Sequence, residues 1–246
     1  MRDINWIKER FIAHRGNHDQ NHQVPENSLL AFEKAVSNDY AIECDVNMLK
    51  DGTVVVFHDE TLNRMCGIDR KINDVTKEEL DSIYLLKTNQ TIPTLEEVLK
   101  LVNGQVELLI EIKPHGDLYK LAANTYYTLK NYKGKFAIQS FHPGIIRWYK
   151  NHASEVLRGQ IAEYFTSNKT LSRPKKFVLK RMIFNKKNDV DFINYNVLNM
   201  PNKYLNKAKK KGIPIIGYTA KSIIEYNRVK SLYDNAVFEA FEPVKK

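Results

Sequence analysis

Cysteine is scarce in this chain of 246 residues: Cys44 and Cys66 are the only two. Two thiols make no disulfide framework, and their spacing is not that of a metal finger, so the sequence reads as a chain of a reducing compartment. Long apolar runs are missing as well. The opening "MRDINWIKERFIAHRG" has no stretch long enough for a secretory signal, and nothing later approaches a membrane span. The expectation is a cytoplasmic protein without stable membrane insertion. Internal repeats and low-complexity tracts are absent apart from lysine clusters.

Acidic charge is in the minority, with 38 lysines and arginines against 29 aspartates and glutamates. The excess of +9 suits an anionic partner without choosing one. Its clusters, "RPKKFVLKR", "NKKND" and "NKAKKKG", lack the interleaved aromatics of a nucleic-acid groove. They read as solvated faces of helices and turns, with no nucleic acid as partner.

With 43% hydrophobic residues the chain can bury a sizeable core, and the reading is one domain over residues 1–246. Short apolar runs at 11–13, 41–46, 106–112, 136–139, 156–161, 191–193, 213–218 and 236–239 alternate with helical patterns. Helix starts are marked by Ser28, Asp117, Pro143 and Ser222, and Gly212 marks a helix end. Eight strands separated by helices predict an α/β fold, the TIM (β/α)8 barrel. A segment over about 51–100 does not fit a plain barrel. It opens with an Asp51-Gly52 turn and an extra strand at 53–57, and it reads as a small insertion after the second strand, with Thr76 and Thr94 as helix caps.

Chemistry gathers where strands end. In "AIECDVNML" side chains alternate, so Glu43 and Asp45 share one face and Ile42, Cys44 and Val46 the other. In "ELLIEIKPHG" Leu109, Glu111 and Lys113 share a face. If the apolar faces meet the helices, three carboxylates point into the barrel, where unpaired charges are costly. Ordinary salt bridges would satisfy either strand alone. Taken together, Glu43, Asp45 and Glu111 form an all-oxygen site for one hard divalent cation, Mg²⁺ or Ca²⁺. His14 ends the first strand and His58 the extra one, which suits an acid/base pair working on a phosphate ester. Arg15 and Lys113 are suited to bind the phosphate.

The blocks "AHRG" with "PENS", "IECDV", "DGTVVVFHDETLNR", "PTLEEVL" and "LLIEIK" together resemble the glycerophosphodiester phosphodiesterases in order and approximate spacing. The resemblance is densest over residues 12–113. It implies a TIM barrel with a small insertion, a divalent metal, and hydrolysis of a small-molecule glycerophosphodiester to glycerol 3-phosphate and an alcohol. It also implies His14 and His58 as the acid/base pair, Glu43, Asp45 and Glu111 as metal ligands, and Arg15 and Lys113 as phosphate contacts.

The chain departs from the family's pattern in places. The loop 17–24 is longer than usual and carries His18 and His22, read as solvated. Tyr218 stands where the family has tryptophan, Lys221 where it has asparagine, and Ala240 and Phe241 where it has Thr-Asp. The eighth outer helix looks missing or very short, with Ile4, Trp6 and Ile7 expected to cover part of the gap. A rim of Phe141, Tyr164, Phe165, Tyr218 and Phe241 would instead suit a related barrel enzyme acting on lysophospholipid. A non-catalytic phosphodiester-binding module is the reading from another class. Without a coiled-coil seam, a monomer is the default.

Overall fold

A computed structural model describes residues 3–243. Nine strands form one sheet: β1 (Ile12–His14), β2 (Ala41–Met48), β3 (Val54–Val56), β4 (Leu108–Ile112), β5 (Phe136–Ser140), β6 (Leu157–Ala162), β7 (Phe192–Asn196), β8 (Ile215–Ala220) and β9 (Asn235–Phe238). All except β3 are the parallel strands of a TIM (β/α)8 barrel, as the alternating pattern predicts. Strand limits differ from the sequence expectation by up to three residues, the largest difference being the end of β7 at Asn196. Pro214 shows why: it has no N–H for a ladder, so β8 begins at Ile215 while the Pro214 carbonyl still accepts from Ile193 N at 2.9 Å.

The chain divides into two compact units, Ile12–Ile138 and the residues on either side of it. In the first, β2 pairs in parallel with β1 and β4, and Asp45 lies beside Glu111 across the β2–β4 ladder. The helix Leu29–Ser37 follows β1, and the Ser28 hydroxyl caps it by accepting from Ala31 N at 3.1 Å. Gly16 makes the tight turn between them at φ +80°; a Cβ there would lie 2.9 Å from both the Ala31 Cβ and the Phe32 ring.

The inserted segment begins with the expected Asp51-Gly52 turn, where Asp51 Oδ1 accepts from Thr53 N at 2.8 Å, and β3 pairs antiparallel with β2. It carries its own small core, with Leu49, Phe57, Leu62, Ile72, Val75 and Leu85 buried together. Thr76 starts a 3-10 helix, Lys77–Ser82, rather than an α-helix. Thr94 caps the helix Leu95–Val102 through a reciprocal pair with Glu97, and this helix packs on Leu29–Ser37.

In the second unit, β6 to β9 pair in parallel in chain order. The N-terminal helix Asn5–Glu9 packs against β8 and β9 with Trp6 and Ile7 buried. Asn235 fastens it, its Nδ2 donating to Ile7 O at 2.9 Å and Arg10 O at 2.7 Å. Among the described residues no helix follows β9, and this N-terminal helix covers those strands. The five aromatics that could supply an apolar rim for a lysophospholipid all make ring contacts. Phe141 packs on Phe165 and Tyr218, Tyr164 on Tyr195, and Phe241 on Phe238 and Tyr226. No helix among the described residues is long and apolar enough to cross a membrane.

Candidate active site

Alternation along β2 and β4 puts Glu43, Asp45, Glu111 and Lys113 in the same place, each less than a tenth exposed. One oxygen from each of Glu43, Asp45 and Glu111 lies within 4.8 Å of the other two. Oxygens around a single hard cation, bound at about 2.0 to 2.6 Å, are separated by no more than about 5 Å, so this donor set fits an acidic metal site.

Two fixed cations oppose the three carboxylates. Lys113 Nζ lies 2.6 Å from Glu111 Oε1 and 2.9 Å from Asp45 Oδ1, and Arg15 Nε lies 3.2 Å from Asp45 Oδ2. With all three carboxylates ionised, one buried negative charge would stand in excess. Burial, then Asp45 and Glu111, push the Glu43 carboxyl well above its usual range. Burial also acts on Asp45, but Lys113 and Arg15, with His58 and His14, hold it well below that range. The oxygen set is therefore one into which a divalent cation would bring the missing positive charge. Cys44, on the opposite face of β2, is buried, and burial raises its thiol pKa well above the usual value.

Backbone shape fixes the residues around this centre. Arg15 and Asn27 both adopt left-handed backbone, φ 55° and 57°, an uncommon conformation for non-glycine residues. Asn27 N donates to the Arg15 carbonyl at 2.9 Å, and Asn27 Nδ2 donates to Asp45 Oδ2 at 2.9 Å. The turn after β1 and the "PENS" turn thus hold each other and aim both side chains at Asp45. His14 Nε2 lies 4.0 Å from Glu43 Oε2. His58 Nδ1 lies 2.6 Å from Asp59 Oδ1, and a carboxylate only accepts, so in the neutral ring Nδ1 carries the proton and Nε2 is the bare nitrogen.

Five residues without an assigned role in the sequence reading, Glu26, Asn47, Asp59, Arg64 and His115, make further contacts around this centre. Glu26 accepts from Arg15 Nη1 at 2.6 Å and from Arg64 Nη2 at 2.7 Å, while Arg64 Nε donates to Asp59 Oδ2 at 2.6 Å. A chain of ion pairs therefore runs from Arg15 through Glu26, Arg64 and Asp59 to His58. His115 Nδ1 meets Asn47 Oδ1 at 2.9 Å. Glu26 and Asn27 lie in "PENS", and Asp59 and Arg64 in "HDETLNR", so the motifs carry these residues and the fold supplies their pairing.

The loop 17–24 is ordered by its own side chains. Asp19 Oδ1 accepts from the backbone N–H groups of His22, Gln23 and Val24, and Asn21 Nδ2 donates to Glu26 Oε2 at 2.8 Å. Its histidines differ: His22 is exposed, whereas His18 is half-buried and accepts from Gln20 N at 3.2 Å.

The sequence profile of the glycerophosphoryl diester phosphodiesterase family matches residues 14–238. A glycerophosphodiester phosphodiesterase of Bacillus altitudinis is 39% identical over 118 residues, 45% of this chain and 47% of the relative. One from Caldanaerobacter subterraneus is 34% identical over 164 residues, 62% of this chain and 66% of the relative. The chain thus spans about half to two thirds of the length of these relatives. Among solved structures, an Oleispira antarctica phosphodiesterase in complex with the product sn-glycerol-3-phosphate superposes with a TM-score of 0.81 at 22% identity, covering 95% of this chain and 94% of that one. A Thermotoga maritima glycerophosphodiester phosphodiesterase gives 0.72 at 24% identity, with 94% of each chain covered. At these identities the superpositions speak for the shared fold. The profile match over nearly the whole chain establishes that it belongs to the glycerophosphoryl diester phosphodiesterase family.

Proposed function

We propose that the chain, acting as a single catalytic domain, hydrolyses glycerophosphodiesters to sn-glycerol 3-phosphate and an alcohol. The observation that carries this reading is the buried Glu43, Asp45 and Glu111 cluster with Arg15 and Lys113 against it. The Oleispira antarctica structure holds the same product. Two free cysteines, one buried and one half-buried, suit a reducing cytoplasm.

Glu43, Asp45 and Glu111 hold one divalent cation, Mg²⁺ or Ca²⁺. When bound, the cation supplies charge neutralisation at the non-bridging phosphoryl oxygens. Arg15 and Lys113 add donors for the phosphate. Arg15 Nη1 is committed to Glu26 and Nε faces Asp45, which leaves Nη2 for a phosphate oxygen. His58, fixed by Asp59 through Nδ1, exchanges a proton at Nε2, and His14 serves the opposite side of the reacting phosphorus. One imidazole deprotonates the attacking hydroxyl, from water or from the 2-position of the substrate glycerol, while the other protonates the departing alcohol. On the second route the expelled alcohol leaves a cyclic glycerophosphate, which water, deprotonated by a histidine, then opens to glycerol 3-phosphate; the cyclic ester in single-turnover samples marks it.

The test is release of glycerol 3-phosphate from glycerophosphocholine, glycerophosphoethanolamine and lysophosphatidylcholine, each with Mg²⁺, Ca²⁺ or chelator. His14→Ala and His58→Ala are expected to lower kcat by about 10² to 10⁴ with little change in KM. No release with any metal would sink the proposal, and a strong preference for the lysolipid would move it to the related lipid-directed barrel enzymes.

A further inference from the structure

The helix Arg173–Lys180 has no buried residue. It belongs to a stretch of residues 173–188 that carries seven lysines and arginines and no carboxylate. The helix half-buries Val178 and Leu179 but leaves Phe177 45% exposed, and the turn after it leaves Ile183 52% and Phe184 40% exposed. Polar chemistry alone does not account for these three, which sit within eight residues of one another.

Beside this segment lies a groove of about 860 Å³. Its wall includes Met182, Ile193 and Ile213, and its edge carries Arg181 and Lys186 on one side and Lys203, Lys207 and Lys211 on the other. Lys203 and Lys207, four residues apart, share one face of the helix Lys203–Lys209, and Lys211 lies in the turn that follows it. The one carboxylate in the groove, Asp189, is engaged by Arg158, whose Nη2 lies 2.8 Å from Asp189 Oδ2. The surface therefore combines unbalanced positive charge with exposed apolar side chains.

Both halves of that description match a single partner. We propose that this face docks reversibly on a lipid bilayer bearing anionic head groups, with the lysines and arginines against lipid phosphates and Phe177, Ile183 and Phe184 at the level of the acyl boundary. Charge complementarity names the surface, and the apolar residues separate it from a nucleic acid. The Arg181 guanidinium stacks 3.4 Å from the centre of the Phe177 ring, so that face of the ring is closed to a base, and Ile183 has no use on a phosphate backbone. The docking is peripheral, in keeping with the absence of a spanning helix among the described residues. It does not depend on the hydrolytic reading.

The experiment is co-sedimentation of the full chain with vesicles of phosphatidylcholine alone or with one third phosphatidylglycerol, at low salt and at 0.5 M NaCl. Binding is expected to the anionic vesicles only, and to weaken in salt. Replacing the exposed Lys175, Lys186 and Lys187 together by alanine should lower the partition coefficient about a hundredfold, roughly fivefold per cation. The pair Ile183→Ser and Phe184→Ser should lower it about tenfold or more at both salt concentrations. Both variants should melt at the temperature of the parent chain and keep its turnover of soluble glycerophosphocholine, whatever that turnover is. Sedimentation with neither vesicle, equal binding to both, an unaffected lysine variant, or tighter binding to a DNA duplex than to anionic vesicles at the same salt would each overturn the proposal.

Discussion

His58 and Asp59 are neighbours in the chain, and their side chains meet at 2.6 Å between Nδ1 and Oδ1. Adjacent residues on an extended segment point apart, so this contact exists because β3 has ended and the chain is turning. Although burial pushes the Asp59 carboxyl up, hydrogen bonds from His58 and Arg64 hold it well below the usual range. It is a carboxylate at neutral pH and keeps the proton of His58 on Nδ1. Asp59→Asn removes that preference, since an amide can donate to Nδ1 as easily as accept from it. The expected outcome is a kcat about ten- to a thousandfold lower with KM changed little, measured by glycerol 3-phosphate release. A kcat within twofold of the parent would show that Asp59 does not orient the imidazole.

Gly16 sits between Arg15 and the helix that follows β1, at φ +80° and in contact distance of Ala31 and Phe32. Gly16→Ala meets two costs, the left-handed backbone and a Cβ 2.9 Å from neighbours that include the side chain of a packed helix. A loss of about 2 to 4 kcal/mol is expected from denaturant unfolding. Activity per folded molecule should also fall, because relieving the clash displaces Arg15. Parent-like stability would mean that the turn relaxes freely.

Most of what positions the site was legible in the sequence, and the reason is periodicity. A strand shows its two faces in a two-residue repeat, so "IECDV" and "LLIEIK" announce which carboxylates share a side. The register that sets Asp45 beside Glu111 joins residues sixty-six positions apart and has no local signature. The same limit hid the link from Arg15 to His58. Glu26 and Arg64 are 38 positions apart, and nothing in "PENS" or "LNR" alone says that they pair. The 3-10 helix at Lys77–Ser82 has the cap and first-turn glutamates of an α-helix start, so sequence does not distinguish the two; length and packing decide between them.

Glu26 gives the site an acid limit. Burial pushes its carboxyl up, but the hydrogen bond from Arg64, the charge of Arg15 and the Asn21 amide together bring it down to about 2, from 4.5. Because the folded value is the lower one, the stabilisation is fully present above the unfolded value and is lost as pH falls through the folded one. It amounts to about 3 kcal/mol, of which roughly 2 kcal/mol has gone by pH 3. Urea unfolding at a series of pH values should therefore show a steeper loss below pH 5 for the parent chain than for Glu26→Gln. Parallel curves would place the acid sensitivity elsewhere.

Glu43, Asp45 and Glu111 predict a stabilising response to divalent metal that needs no substrate. A ligand that binds only the folded chain stabilises it by about 2.7 kcal/mol at a hundred times its Kd. For a chain of this length that corresponds to a rise in Tm of about 5 to 10 °C. Thermal unfolding of chelator-treated protein with added Mg²⁺ or Ca²⁺ should show such a rise, larger for the better-fitting ion. Glu43→Gln should abolish most of it while leaving the apo protein at least as stable as the parent, because Glu43 is the carboxylate whose charge burial opposes most plainly. Asp45→Asn should abolish the rise too, but at a cost to the apo protein of about 3 kcal/mol, since it leaves Lys113 and Arg15 short of a partner. The two variants thus separate ligand from structural support: the same lost response to metal, with opposite effects on the metal-free fold. A Tm that rises equally in the parent and in both variants would mean that the ion binds outside this cluster.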